Sequence, residues 1–242
     1  MSSPSSNPAA ALSPGAILLI QLALALGGFA IGTGEFAIMG LMPNVAADLG
    51  VSEPQVGHVI SAYALGVVVG APLLALLGAR LPRRILLLLL MGCFALGNFA
   101  SALAPSYEPL LIFRFIAGLP HGAYFGIAML VAASMAPPQK RAKAVSRVLA
   151  GLTVAILIGN PLATWLGQFM SWRYAFALVG IIAISTIAMV AIFLPADPHE
   201  QRSSPMGELR AFNRTPIWLA LGIGLPAVAM EAWSVIDPDN TI

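Results

Sequence analysis

The feature that most limits what this chain can become is a set of six apolar runs, each about 20 residues or longer and each closed by a short polar break. Crossing roughly 30 Å of hydrocarbon at about 1.5 Å per residue takes about 20 such residues in a helix. Six segments meet that length: 16–41, 55–77, 85–104, 109–136, 144–166 and 174–194. The breaks carry turn and cap chemistry. Ser52-Glu53-Pro54-Gln55 is a capping-box start for the second run, Ser106 with Pro109 opens the fourth, and Leu81-Pro82 and Ala136-Pro137-Pro138 punctuate the other side. Only 9% of the 242 residues are charged and 59% are apolar, against about 25% charged in a soluble domain. Such a chain cannot cover its own surface in water, so the expected fold is an all-α membrane protein with a six-transmembrane-helix bundle over residues 16–194.

The flanks read differently. Residues 1–15 are rich in Ser, Pro and Ala and lack the basic start of a secretory signal, which predicts a disordered tail. A polar stretch at 195–215 forms a central loop. Thr215-Pro216 then opens another apolar run, but it lasts only about 14 residues before Glu231 and a polar end, too short to cross a bilayer. Residues 216–242 are therefore expected to be an incomplete seventh span with an aberrant tail, and the chain a truncated product of a protein with about twice the spans.

Charge placement predicts topology. Ten of the twelve Lys and Arg residues fall in or at the edge of the breaks after runs two, four and six: Arg80, Arg83 and Arg84; Lys140, Arg141, Lys143 and Arg147; Arg202, Arg210 and Arg214. The opposite side carries Arg173. By the positive-inside bias both ends of the bundle, the N-terminus included, are cytoplasmic. Many of these side chains need do nothing beyond setting that orientation.

Away from their ends the runs hold one acid, Glu35, and one strong base, Arg114. Each costs at least ~2.5–3.5 kcal/mol at mid-membrane, so each is expected to face a cavity and to have a partner. Glu35 precedes Pro43 by eight residues and Arg114 follows Tyr107 by seven, which puts both ~10–12 Å below the outer surface. Opposite charges at matched depth could meet directly or through water. Gly28, Gly32, Glu35 and Met39 share one helical face, and so do Arg114, Gly118, His121 and Phe125. Glu35 reads as a proton carrier or cation contact, with a structural ion pair as the alternative. Arg114 could equally hold helices together, and His121 could equally be a satisfied core histidine.

The fifth run carries Gly151, Ala155, Gly159, Ala163 and Gly167 at four-residue spacing. A stripe of small residues lets another helix approach closely. Ordinary packing inside the bundle and an interface with a second bundle both fit it. Asn160-Pro161 beside the stripe predicts a kink.

Several of these segments resemble signatures of one family. Gly32-Thr33-Gly34-Glu35-Phe36, with Gly40-Leu41-Met42-Pro43 and Asp48-Leu49-Gly50, resembles the first span of twelve-span drug:proton antiporters of the major facilitator superfamily. Arg114 through Gly122 is similar to that superfamily's fourth-span motif, and Gly159-Asn160-Pro161 to its fifth-span antiporter motif, without the trailing Gly pair. Gly78-Ala79-Arg80-Leu81-Pro82-Arg83-Arg84 sits where the family carries Asp-Arg-x-Gly-Arg-Arg, with Ala79 in place of the acid and Pro82 in place of the glycine. Gly-Leu-Pro-His-Gly with this altered loop looks most like the arabinose-efflux-permease-like branch. The resemblance covers roughly residues 16–230. It implies the N-terminal half of a two-bundle transporter, built of 3+3 inverted repeats, exporting a small solute against inward proton flow. Glu35, Arg114 and His121, with Tyr63, would then line the proton and substrate pathway. Gly151, Ala155, Gly159, Pro161 and Ala163 would pack against the second bundle. The expected partners are the lipid bilayer of a bacterial inner membrane, a small-molecule substrate, protons, and a second six-helix half or a second copy.

Other classes fit poorly. Lysine occurs only at 140 and 143, outside any phosphate-binding glycine loop, so no Walker-type ATP site is expected. His58, His121 and His199 have no ligand spacing, and Cys93 stands alone, so no metal, cofactor or disulfide framework is expected. No basic stripe interleaved with aromatics suggests nucleic acid, and no nucleophile–base pair suggests an enzyme. A proton-linked importer and a non-transporting membrane assembly protein remain the alternatives to an exporter.

Overall fold

A computed structural model describes residues 12–78 and 80–196. The tail through residue 11, Ala79, the central loop beyond residue 196 and the seventh apolar run lie outside the described residues. Among the described residues all regular structure is helical. Six stretches are long and apolar enough to cross a membrane: Pro14–Leu49, Glu53–Gly78, Arg83–Ala102, Tyr107–Ser134, Pro138–Phe169 and Trp172–Phe193. We call them spans one to six.

Three spans depart from straight helix, each at an identifiable place. Span one consists of α1 (Pro14–Phe36), a 3₁₀ segment (Ala37–Leu41) and α2 (Met42–Leu49). Pro43, read from the sequence as the outer end of this span, instead lies in the first turn of α2, where a missing N–H costs nothing. The helix runs on to Gly50, which takes the left-handed conformation at φ +65° and stops it. Span two is α3 (Glu53–Gly78) and span three is α4 (Arg83–Ala102). The predicted capping box forms: Ser52 N–H donates to Gln55 Oε1 at 2.9 Å and Gln55 N–H to Ser52 Oγ at 3.4 Å. Span four breaks at Leu119 between α5 (Tyr107–Gly118) and α6, which opens on Pro120 (Pro120–Ser134). Span five enters through a short 3₁₀ turn at Pro138–Lys140 and continues as α7 (Arg141–Val154), a π turn (Ala155–Gly159) and α8 (Asn160–Phe169). The π turn precedes Pro161, where the ring removes a helical donor, so the regular α ladder is interrupted next to the position where a kink was expected. Span six is α9 (Trp172–Phe193).

The most extensive packing joins span three to six, one to five, two to four, one to six, and three to four. Exchanging one with four, two with five and three with six maps this set of pairs onto itself. That is the pattern of two three-span repeats, and an odd number of spans per repeat makes the second run the opposite way through the bundle. Glycine permits the equivalent close approaches. A Cβ on Gly66 or Gly118 would collide with the backbone of Phe115 or Tyr63, across spans two and four. A Cβ on Gly151 would collide with the Ala25 carbonyl, across spans one and five.

The outer surface is apolar. Leu96, Leu157 and Ile192 are 72%, 70% and 72% exposed, a pattern that fits hydrocarbon as solvent and not water.

Candidate functional site

Glu35 lies in the last turn of α1, two residues before the chain tightens into the 3₁₀ segment. Tyr63 projects from α3, Arg114 from α5 and His121 from the first turn of α6. Side chains from three spans converge here, with Arg114 and His121 two turns apart on span four. Tyr63 is 2% exposed, Arg114 is fully buried, and the side chains of His121 and Glu35 are 16% and 27% exposed.

Their contacts define a polar cluster in an apolar bundle. His121 Nδ1 stands 3.1 Å from Tyr63 Oη and 3.8 Å from Glu35 Oε2. The imidazole also packs on Phe125, with ring centroids 5.3 Å apart. Arg114 Nη2 donates to the Gly34 carbonyl at 2.8 Å. The guanidinium lies over two rings, 4.4 Å from the centroid of Tyr63 and 5.0 Å from that of Phe176. Its Nε and Nη1 have no hydrogen-bond partner among the described protein groups.

The matched-depth expectation therefore holds in one respect and needs correction in another. Glu35 and Arg114 share a level, but no direct ion pair joins them among the described residues. The helical face explains it. Arg114 reaches span one at the backbone of residue 34, while the carboxylate one residue later turns toward His121. The depth reckoning also shifts, because span one continues past Pro43 to Leu49.

One nitrogen facing two oxygens gives this arrangement its chemistry. An unprotonated Nδ1 accepts the Tyr63 hydroxyl proton, whereas a protonated Nδ1 becomes a donor that Glu35 is placed to receive. Which nitrogen carries hydrogen decides which neighbour His121 serves.

Beside Glu35 along the chain opens a groove of about 530 Å³, lined by residues of span one including Phe36 and Met39 and of span five including Asn160, Thr164, Trp165 and Gln168. Pro161 is exposed on its wall. The other members of the predicted interbundle stripe are not available to a second bundle. Gly151, Ala155, Gly159 and Ala163 are buried, and their neighbours across the contact belong to span one: Ala25 and Phe29 for Gly151, Gly32 for Ala155, Thr33 and Phe29 for Gly159. The stripe serves packing inside the bundle, because span one needs that close approach.

The basic loop residues lie apart from the cluster. Arg80 is exposed in the turn after span two, and Arg83 and Arg84 begin α4. Arg84 Nη2 donates to the Ala191 carbonyl near the end of span six. Three further contacts had no sequence signal that paired their residues. Phe176 lies under Arg114. Arg147 Nη1 donates to Gln21 Oε1 at 2.7 Å. At the other end, Trp172 Nε1 donates to Asp48 Oδ2 at 3.0 Å, the Arg173 guanidinium meets the same oxygen, and Arg173 Nη2 donates to the Ala104 carbonyl at 3.0 Å.

Residues 24–237 match the family model of the Major Facilitator Superfamily. The chain belongs to the major facilitator superfamily. Among its relatives, the inner membrane transport protein YdhP of Escherichia coli is 45% identical over 202 residues, 83% of this chain and 51% of that protein. The chloramphenicol resistance protein of Streptomyces lividans is 36% identical over 173 residues, 72% of this chain and 44% of that protein. The solved proton:xylose symporter XylE, bound to 6-bromo-6-deoxy-D-glucose, superposes with a TM-score of 0.66 at 22% identity, covering 77% of this chain and 46% of that one. The superfamily fold is thus shared by this bundle, and the chain spans about half the length of the relatives it matches. It is a multi-pass membrane protein of a transporter family.

Proposed function

We propose that this chain forms one bundle of a proton-coupled secondary transporter of the bacterial inner membrane, with a cytoplasmic N-terminus, that exports small amphipathic solutes. The observation that carries the reading is the Glu35–His121–Tyr63 contact, a titratable pair and a hydroxyl sharing one ring nitrogen inside an apolar bundle. Ionisable groups at this depth are costly and mark ion pathways. Arg114, held on the Gly34 carbonyl, keeps a fixed positive charge beside the carboxylate. Protonating Glu35 leaves that charge unbalanced, so proton binding and release change which arrangement of the bundle is favoured.

Antiport requires that proton and solute occupy the site alternately. The groove beside Glu35 offers aromatic and apolar walls, Phe36, Met39 and Trp165, with Asn160, Thr164 and Gln168 as hydrogen-bonding groups. That mixture suits a solute with a flat apolar body and polar substituents. Outward direction draws support from the antiporter-like first and fifth spans and from the name of the chloramphenicol resistance relative. A second six-helix half or a second copy supplies the opposite wall of the cavity.

The test uses vesicles containing the protein, an imposed proton gradient and a panel of fluorescent amphipathic dyes. Gradient-driven dye movement is expected to disappear in Glu35→Gln while downhill dye exchange persists. Undiminished gradient-driven movement in Glu35→Gln overturns the proposal.

A further inference from the structure

The hydrogen bond between Arg147 and Gln21 stands at one end of a second groove, which the Glu35 cluster does not use. Spans one, five and six enclose a furrow of about 620 Å³ whose walls include Leu18, Leu22, Leu26 and Phe29, with Val154 and Met189 opposite. Spans one and five approach closely at Gly151 and again farther along at Gly32 and Gly159, and the furrow opens beside the Gly151 contact. Gly151 sits against the Ala25 carbonyl with no room for a Cβ.

Its dimensions and polarity both point to a lipid. From Leu18 to Phe29 is eleven residues of α1, ~16 Å at about 1.5 Å per residue. That is about half of the roughly 30 Å hydrocarbon core, the depth of one leaflet. Apart from Gln21 and Arg147, every lining residue is apolar. The polar end lies on the side of the basic breaks, cytoplasmic by charge bias. There Gln21 is only 3% exposed, and its Oε1 fixes the Arg147 guanidinium at 2.7 Å. Arg147 and Lys143, one helical turn nearer the end, are both exposed.

We propose that this furrow binds one anionic phospholipid of the cytoplasmic leaflet, its acyl chain along Leu18–Phe29 and its phosphate on Arg147 and Lys143. Charge decides between occupants. A cationic solute would meet two like charges, and a neutral apolar helix would leave the guanidinium unmatched at the mouth of an otherwise apolar trough. Basic positions at the cytoplasmic ends of spans attract anionic headgroups, and a buried glutamine that orients one of them makes the site specific.

Native mass spectrometry of the detergent-purified chain, incubated with an equal mixture of phosphatidylglycerol and phosphatidylcholine, tests it. One retained phosphatidylglycerol per chain is expected, with a several-fold preference over phosphatidylcholine. Arg147→Gln with Lys143→Gln should abolish the preference and leave weak, unselective lipid retention. Val154→Trp, or Leu22→Trp if the first variant does not fold by circular dichroism, should fill the furrow and lower retention of both lipids. Equal retention of the two lipids, or a preference untouched by the double glutamine variant, overturns the proposal. So does a lipid-free dimer that shields positions 22 and 154 from labelling, which would assign the furrow to a second copy.

Discussion

Arg114 binds the backbone of Gly34 at 2.8 Å and not the carboxylate of Glu35 next to it. The base is thereby a fixture of the bundle, anchored to a peptide carbonyl and two aromatic faces, while the acid stays free to change partners. Replacing a buried guanidinium in this position loses a charge-assisted hydrogen bond and desolvated cation–π contacts, together on the order of 2–4 kcal/mol. Arg114→Ala should therefore lower the thermal unfolding midpoint in detergent markedly. Arg114→Lys should recover little of it, because an ammonium cannot span the Tyr63 and Phe176 rings and still reach Gly34. Full recovery by lysine would mean that charge alone matters there.

His121 should report the protonation state of the cluster. With its hydroxyl partner removed by Tyr63→Phe, Nδ1 keeps only Glu35 as an oxygen neighbour, so the ring shifts toward the Nδ1-protonated form. Nitrogen NMR of labelled histidine reads that change directly. In the parent protein, an infrared carboxyl band that responds to pH and vanishes in Glu35→Gln is the matching expectation for the acid. A His121 spectrum identical in the parent and in Tyr63→Phe would dissociate the two residues.

How far the sequence foretold this arrangement depends on the kind of information needed. The six spans follow from hydrocarbon thickness, a one-dimensional requirement, and their ends move most at the outer end of span one and at the start of span five, which begins at Pro138. Pro43 is the instructive case, since proline both ends helices and begins them, and only the 3₁₀ segment before it tells which. Depth placed Glu35 and Arg114 together, and face put His121 on the same side of span four as Arg114, nearer the midplane. The atom-to-atom pairing was not legible, because a rotation of one residue on span one separates the Gly34 carbonyl from the Glu35 carboxylate. Nor was the partner of the Gly151–Ala163 stripe. Small residues announce a close neighbour without naming it, and the neighbour proved to be span one.

The glycine contacts make a prediction with an internal control. Gly118→Ala and Gly151→Ala place a methyl against backbone of the facing span, where nothing can rotate away. Overpacking of this sort costs about 1–3 kcal/mol. Gly92 and Gly126 also lie within helices, yet a Cβ on either meets no atom within 4 Å. Alanine there should be neutral or stabilise by up to about 1 kcal/mol, through helix propensity. Chemical unfolding of the four variants in a mixed detergent separates the two classes. Equal losses in all four would remove close approach as the reason for the first pair.

At the end opposite the basic breaks, Asp48, Trp172 and Arg173 tie the tip of span one to the start of span six and, through Ala104, to the connection between spans three and four. The two charged side chains are 45% and 33% exposed, so the ion pair itself contributes only about 0.2–1 kcal/mol. Arg173 does more than pair, since it also donates to Ala104 and lies 4.3 Å from the Trp172 ring centroid. Arg173→Ala should therefore destabilise more than Asp48→Asn. Its effect should be local, with hydrogen exchange accelerating over residues 42–49 and 102–107 while the amides of α4 and the middle of α9 stay protected. Asp48→Asn should leave residues 102–107 unchanged, because the Ala104 contact survives it. Equal acceleration of both segments in the two variants would show that the end is held by the Asp48 pair alone, and that the bond to Ala104 contributes nothing.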